Sequence, residues 1–328
     1  MSLIFNQKLL IKKKVILLSF LLLSLILSQS VHAKKCLYIA SYHQGYEWSD
    51  GVERGLRSQL EGKCEIKQLN MDTKRNPDET FKKAAGLIAR DLILSWQPDV
   101  VIASDDNASR YVIQPYFKDH DIPFVFCGIN WTVDAYGYPY SNATGMVEVA
   151  PIMELFDKVS AVIGMPHNVF YLGVDVLTER KNFSRFEEEA KIRNIQIKKG
   201  LATTAQEWMD FYIEAQNYDF VIIGGNAGIN DWNKTTILDT IHQHTQKLSV
   251  TIQGWMVPYT ILGLTKIPEE QGEWAGQVAL YILDGAKPSD IPIVSNRKWD
   301  IWINEVILKH TTIKIPLSLN KKSKKVKH

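Results

Sequence analysis

Short β-branched runs alternate with amphipathic helical stretches along most of the chain, and this alternation restricts the fold more than any other feature. In the first half, the predicted strands are Cys36–Ser41, Glu65–Asn70, Val100–Ser104 and Pro123–Gly128, and the predicted helices are Gly51–Leu60, Pro77–Trp96 and Ala108–Phe117. Consecutive parallel strands need a long crossover connection, which is usually a helix. The order therefore predicts a parallel sheet that is covered by helices on both faces.

The predicted helix Pro77–Trp96 has apolar residues at helical spacing. They are Phe81, Ala84, Ala85, Leu87, Ile88 and Leu92. Because residues at this spacing share one face of a helix, we expect that face to be buried.

A second series of the same kind begins near Pro151. Its predicted strands are Val169–Val174, Ile195–Gly200, Phe220–Gly224 and Val250–Gln253, and its predicted helices are Ile152–Ile163, Thr178–Arg193, Ala205–Ala215 and Lys234–Gln246. The chain is thus predicted to be an α/β protein with two doubly wound parallel-sheet lobes in tandem. No sequence repeat is visible between the two halves, so the duplication rests on the pattern alone.

The last third of the chain does more than complete the second lobe. It holds a helix at Gln271–Leu283, a proline-punctuated segment, a strand at Lys298–Asn304 and a short helix at Glu305–His310. We expect residues 34–148 to form the N-terminal lobe and residues 149–289 the C-terminal lobe, while residues 290–315 return to the first lobe or to the hinge. Several crossings between two lobes make a hinge, and the cleft between the lobes can close on a small ligand.

Residues 1–33 predict a secretory signal. Three lysines at 12–14 precede an apolar run at 15–27, and small residues occupy the cleavage-determining positions in 31–33. An apolar run of about 13 residues is shorter than the roughly 20 that a membrane-spanning helix needs, which favours a cleaved signal over an uncleaved anchor. We therefore expect export, cleavage after Ala33 and residence in the periplasm.

The charge balance argues against a nucleic-acid partner. The chain carries 38 Lys and Arg against 36 Asp and Glu, but four of the lysines precede the predicted cleavage point. The exported part is therefore mildly acidic, with no basic stripe suited to a phosphate backbone. The remaining basic character is concentrated in residues 316–328, which we interpret as a solvated basic tail. Export also removes cytosolic cofactors from consideration, so we expect none.

The chain has three cysteines, Cys36, Cys64 and Cys127. Cys36 and Cys64 each open a predicted strand, and the two strands should be neighbours in a parallel sheet. A Cys36–Cys64 disulfide is therefore geometrically reasonable in an oxidising compartment, although the sequence leaves its formation open. Cys127 lies inside an apolar run, where a thiol usually behaves as a small buried hydrophobe.

Polar and aromatic residues follow most of the predicted strands. In open α/β sheets a ligand lies outside the carboxyl ends of the strands, so these residues are the candidates for binding. The first lobe contributes Ser41, Tyr42, Tyr46, Trp48, Asp105, Asp106, Asn107, Asn130 and Trp131, and the second contributes Asp175, Asn226 and Trp255. Aromatic rings offer apolar contact and can hold a cation, whereas Asp and Asn fix amines or hydroxyls by hydrogen bonds. The set predicts a site for an amino acid, a small amine or a sugar.

Local roles compete with ligand binding for some of these residues. The stretch Ser104–Asn107 can cap the helix that follows it, which explains at least one of its carboxylates without a ligand. Free N–H groups at helix N-termini favour an amino acid over a neutral sugar, because they attract a carboxylate. No nucleophile has an oriented base, and His242 and His244 point to different faces of a helix. We therefore expect no catalytic residue and no metal site.

The order and spacing of four segments carry a resemblance to a known family. They are Ile39–Trp48, Ser104–Ala108, Pro123–Asn130 and Asn296–Asn304. The chain resembles the solute-binding proteins of ABC transporters with the type I periplasmic-binding fold, in the branch that includes aromatic amino-acid binders.

This resemblance implies capture of a small ligand by lobe closure and delivery to an ABC permease. We expect the protein to act as a monomer. No Leu-x-x-Cys motif precedes Cys36, which favours free residence over a lipid tether. Relatives of the first segment also occur as sensing ectodomains, so signalling to a membrane kinase or cyclase is the alternative.

Overall fold

The computed structural model describes residues 33–326, so the predicted signal, apart from Ala33, lies outside the described residues. The strands are β1 (Lys35–Ala40), β2 (Glu65–Asn70), β3 (Val100–Ser104), β4 (Phe124–Asn130), β5 (Ala143–Glu148), β6 (Asn168–Val174), β7 (Gln196–Ala202), β8 (Phe220–Ile223), β9 (Leu248–Thr251), β10 (Leu262–Lys266), β11 (Val294–Ser295), β12 (Trp299–Ile303) and β13 (Lys324–Lys325). The α-helices are α1 (Glu47–Leu60), α2 (Glu79–Trp96), α3 (Asp105–Ala108), α4 (Gln114–Tyr116), α5 (Ile152–Ile163), α6 (Leu177–Ile192), α7 (Ala205–Ala215), α8 (Lys234–His244), α9 (Pro268–Leu283), α10 (Glu305–Leu308) and α11 (Leu317–Lys322).

These strands form two sheets. The first has the order β11-β5-β4-β3-β1-β2 and is parallel throughout. The second has the order β13-β12-β10-β9-β8-β6-β7, and among its pairs only β12 against β10 is antiparallel. Both sheets are flanked by helices, and each lobe has its own buried apolar core. The predicted α/β class with two lobes of mostly parallel sheet is confirmed.

Buried strands in this fold are continuous apolar runs because both faces of each sheet are covered. Strand β3 is buried along its whole length. Helix α2 begins where the Asp78 side chain accepts the Phe81 N–H at 3.0 Å, the usual role of Asp at a helix N-terminus. It ends at Gln97, whose backbone is left-handed with φ 50.

The predicted buried face of helix α2 is wrong for most of its residues: Ala85 is buried and Leu92 half-buried, but the other four predicted residues are exposed. Its fully buried residues are Ala85, Gly86, Ala89 and Ile93, whereas Ile88 is 61% exposed. The cause is the close approach of a π-helical turn at Ser109–Ile113: a Cβ on Gly86 would collide with the Tyr111 carbonyl oxygen. Only small residues fit at this contact, so the larger apolar residues lie towards the surface.

In the described part, the chain crosses between the lobes three times, and the lobe boundaries differ from the predicted ones. The first crossing follows β5, the second joins β10 to α9, and the third joins β11 to β12. Helix α9, expected in the C-terminal lobe, packs on α1 of the N-terminal lobe, and β11 pairs with β5. Strand β12, within the predicted return segment 290–315, instead joins the second sheet beside β10.

Glycines explain why α9 packs on the first lobe. A Cβ on Gly55 of α1 would collide with the Glu269 carbonyl oxygen, and a Cβ on Gly272 of α9 would collide with the Val52 carbonyl oxygen. The absence of side chains at these positions lets the two helix backbones approach closely.

The predicted solvated tail is ordered as far as residue 326. Leu319 of α11 is buried against the second lobe, and β13 pairs with β12. Lys324 also reaches Asp300 at 2.5 Å. The tail thus covers an edge of the second sheet, because its leucine supplies an apolar anchor that the run of lysines obscures.

Cys36 and Cys64, at the start of the neighbouring strands β1 and β2, are joined by a disulfide with their Cα atoms 6.0 Å apart. Cys127 is a free, buried thiol. Among the helices within residues 33–326, none combines the length and apolarity needed to span a bilayer.

Candidate ligand-binding cleft

The carboxyl ends of the two sheets face each other across the hinge. Glu148 ends β5 in the first lobe and Lys266 ends β10 in the second, and their side chains form an ion pair. Trp131, which follows β4, lies against the Arg185 guanidinium of α6, whose central carbon is 5.3 Å from the ring centroid. The residues after the strands of each lobe therefore line a common cleft.

Trp48 and Asp105 meet on the first-lobe side of the cleft. The Trp48 indole Nε1 donates to Asp105 Oδ1 at 2.9 Å, while Asp105 Oδ2 has no hydrogen-bond partner among the described residues. Asp105 is only 2% exposed and has a left-handed backbone with φ 68. Gly128 makes room for the carboxyl group, since a Cβ there would lie 3.0 Å from Oδ1.

The environment of Asp105 favours its protonated form. Burial raises the pKa of Asp105 to about 8, and the negative charge of Glu148 acts in the same direction. Burial also raises the pKa of Glu148, although Lys266 opposes this shift. At neutral pH, Asp105 is therefore mostly a neutral group.

The residues next to Asp105 form a second hydrogen-bonded group. Asp106 Oδ1 accepts the Tyr136 hydroxyl and Oδ2 accepts the Asn130 side-chain amide, both at 2.6 Å. Asn107 donates to Thr73 Oγ1 at 2.8 Å. Asp106 and Asn130 are thus fixed in orientation at the ends of β3 and β4.

Ser41 has an internal role in the structure. It is fully buried, and its hydroxyl donates to the Ser104 carbonyl oxygen at 2.6 Å and accepts the Ala108 N–H at 2.8 Å. The hydroxyl therefore both donates and accepts, and it joins the end of β1 to the end of β3 and to the last residue of α3.

Tyr42, Tyr46 and Trp48 form an aromatic wall on the first lobe. The rings of Tyr42 and Tyr46 meet edge to face with centroids 5.5 Å apart. The Lys74 ammonium lies 5.1 Å from both centroids, and the Lys266 ammonium lies 5.3 Å from the Trp48 ring. This wall therefore already holds two cations of the protein itself.

In the second lobe, the cleft includes Glu179, a residue that the sequence analysis did not select. Asp175 is partly exposed and paired with Arg180 at 2.6 Å, and Asn226 is half-buried. Trp255 is 58% exposed, close to the backbone of Gly225. Glu179, in the first turn of α6, lies between these elements and was not predicted.

Glu179 is a buried carboxylate held by neutral donors. It is 4% exposed, and it accepts hydrogen bonds from the Tyr171 hydroxyl at 2.8 Å and from the Asn182 side-chain amide at 3.1 Å. A Cβ on Gly173 would lie 2.8 Å from its Oε2, and one on Gly225 would lie 3.2 Å from its Oε1. The strand ends around Glu179 therefore need glycine.

The sequence offered weak signals for the residues that were missed. Glu148 and Lys266 end β5 and β10, two strands that were not predicted. Glu179 lies in a helix rich in charged residues, so the sequence alone does not distinguish this buried carboxylate from the solvated ones around it. The glycine pair that follows β8 was the available signal, since bare backbone at a strand end marks a close approach.

A pocket of about 490 Å³ lies at the first and third crossings. It is lined in part by Val149, Ser295 and Trp299, and none of the predicted ligand-binding residues lines it. Within residues 33–326, no group of three or more His, Cys, Asp or Glu side chains is placed to hold a metal ion.

No protein-family model matches the chain, and no curated protein is similar to it. Solved structures are similar in fold. A ligand-free, open substrate-binding protein with adhesive properties from Clostridium difficile shares 15% identity at a TM-score of 0.71, over 90% of this chain and 99% of that one. The ABC domain from Streptococcus pneumoniae in complex with L-Trp shares 16% identity at 0.58, over 90% of this chain and all of that one.

Transcription regulators have a similar fold. The regulator CcpA of Lactococcus lactis shares 11% identity at a TM-score of 0.51, over 82% of this chain and 97% of that one. At these identities the similarity shows the fold alone, which is that of type I periplasmic-binding proteins.

Proposed function

We propose that the chain is an extracytoplasmic solute-binding protein, not an enzyme, that captures a small ligand in the cleft between its lobes. The observation that carries this proposal is that two polar and aromatic walls, one from each lobe, face each other where the chain crosses three times between the lobes. Trp48 and Asp105 lie on one wall, Glu179 and Trp255 lie on the other, and Glu148 with Lys266 joins them at the hinge. Closure about the crossings would bring both walls onto one ligand.

The structural neighbours support a solute-binding role, and the aromatic wall supports a ligand with an apolar or aromatic body. An amino acid or a related small polar and aromatic molecule fits both features. We propose an ABC permease as the partner of the closed, monomeric form in the periplasm. A membrane kinase or cyclase would recognise the same closed form, so ligand capture is the first property to test.

The test is intrinsic tryptophan fluorescence and thermal shift of the purified protein against amino acids, amines, sugars and nucleosides. We expect a saturable response to one class of compound. Replacing Trp48 or Trp255 with Phe should weaken or silence the fluorescence response, whereas Trp96→Phe should leave it unchanged. Trp96 is the matched control because it ends α2 beside Lys35, at the amino ends of the strands of the first sheet and away from the cleft. No saturable response to any class would refute the proposal.

A further inference from the structure

Glu179 is the buried carboxylate of the cleft that no cation neutralises. Among the described residues it forms no ion pair, and its two hydrogen bonds come from the neutral donors of Tyr171 and Asn182. A carboxylate can accept about four hydrogen bonds, so part of its capacity is unused. Holding an unpaired charge away from water is unfavourable, and a cation brought to the site would offset that cost.

Bare backbone lies against the carboxyl group of Glu179. A Cβ on Gly225 would lie 3.2 Å from Glu179 Oε1 and 3.8 Å from Trp255 Cζ2, so this glycine lies between the carboxylate and the indole. A Cβ on Gly224 would collide with Oε2. Two consecutive glycines thus keep bare backbone where a ligand group would meet the carboxylate.

This part of the second lobe faces the first. Arg185 lies on the same helix as Glu179 and contacts Trp131 of the first lobe. Trp255 is 58% exposed and offers an indole face beside the carboxylate. Two lysines near the cleft are engaged elsewhere, since Lys74 of the first lobe lies over two tyrosine rings and Lys266 of the second pairs with Glu148.

We propose that Glu179 and Trp255 form a subsite for the ammonium or guanidinium group of an organic cation with an apolar body. The carboxylate would receive the charged N–H groups, and the indole would cover the apolar part and share the cationic charge. This inference rests on the proposed function and narrows its ligand to a class. A solute without an ammonium or guanidinium group would leave Glu179 unpaired in the closed state.

The experiment compares cations with matched neutral compounds by isothermal titration calorimetry on the purified protein. The cationic probes are tyramine, agmatine, putrescine and L-arginine, and the neutral probes are N-acetyltyramine, 2-phenylethanol and glucose. We expect saturable binding of at least one cation and none of its uncharged counterpart. Glu179→Gln, which keeps the size and the Tyr171 hydrogen bond, should weaken that binding about 30-fold or more.

Two further variants separate binding from folding. Glu187→Gln removes an exposed carboxylate from the same helix and should leave affinity unchanged. Trp255→Ala should also weaken binding, and because Trp255 is largely exposed its loss should leave the melting temperature unchanged. If Glu179→Gln fails to fold, the Trp255→Ala result decides.

The outcomes distinguish this inference from the proposed function. Saturable binding of a compound without an ammonium or guanidinium group, while the cationic probes do not bind, would overturn the subsite and leave the solute-binding function standing. Binding of a cation that both Glu179→Gln and Trp255→Ala leave unchanged would do the same. Silence of every probe here and in the broader ligand panel would overturn both.

Discussion

The Trp48 indole donates to Asp105 Oδ1 at 2.9 Å and thereby joins the first turn of α1 to the end of β3. The hydrogen bond persists whether the carboxyl group is protonated or not, because Oδ1 remains an acceptor in both forms. The proton resides on Asp105 near neutral pH because burial raises its pKa to about 8. Stability therefore depends on pH through a residue of the cleft itself.

We predict that Asp105→Asn changes the pH dependence of stability. The folded state holds the Asp105 proton up to about pH 8, whereas the unfolded chain releases it near pH 4. Between these values the folded state binds more protons, so wild-type stability falls as pH rises, by at most about 1.4 kcal/mol per pH unit from this group. Urea unfolding at pH 5, 6, 7 and 8 should show that the free energy of unfolding of the variant rises relative to that of the wild type as pH increases. A constant difference would contradict the assignment.

We predict that removing only one charge of the Glu148–Lys266 pair destabilises the protein more than removing both. The Glu148 side chain is 7% exposed, so Lys266→Met leaves a buried carboxylate without its cation and should cost about 3 kcal/mol. The double variant Glu148→Gln with Lys266→Met removes both charges and should recover most of that loss. The measurement is a double-mutant cycle in urea. Strictly additive changes would show that the two side chains do not interact.

We predict that the contact between α1 and α9 tolerates no side chain at its glycines. Gly272→Ala would force a Cβ against the Val52 carbonyl oxygen and should destabilise the protein by about 2 to 3 kcal/mol. Gly254→Ala is the control, since a Cβ there meets nothing within 4 Å. Urea denaturation of the two variants gives the comparison. Equal stability of both would mean that the helices are further apart than described.

We predict that the Cys36–Cys64 disulfide contributes about 3 to 4 kcal/mol to stability. The bond closes a loop across a sequence separation of 28, and the estimate follows from the lost freedom of the unfolded chain. Unfolding with and without reductant measures it. Thiol titration of the unreduced, denatured protein should find one reactive cysteine, Cys127. Three reactive cysteines would show that the bond does not form.

The sequence predicted the first four strands of the first lobe closely. Strands β2 and β3 match their predicted bounds, and β1 is displaced by one residue. Strand β5 was missed because Ala143, Thr144 and Gly145 break the apolar run, although burial of the segment is nearly complete. A local pattern identifies a strand only from its own residues. The segments that bury β5 are distant in sequence, so the local pattern did not reveal its burial.

The candidate residues could be chosen from the sequence only where they come after a predicted strand. Asp105 and Asp106 directly follow one strand, and Trp48 lies a few residues after another; their contact with a ligand stays a prediction. Glu148, Lys266 and Glu179 depend on which strands and glycines come together, and that follows from topology. The lobe to which α9 belongs likewise depends on glycines of α1. Because α1 is far from α9 in the sequence, no local sequence pattern relates the two helices.

The return of the chain to its first lobe has a consequence for the order of folding. Helix α9 and strand β11 complete a lobe whose first strand begins at Lys35, so the core beneath α1 stays open until residues 268–295 are available. Contacts this distant in sequence are slow to form, because a long loop must close first. During synthesis from the N-terminus, the first lobe therefore lacks part of its core until most of the chain has been made. The second lobe can fold before the first lobe is complete.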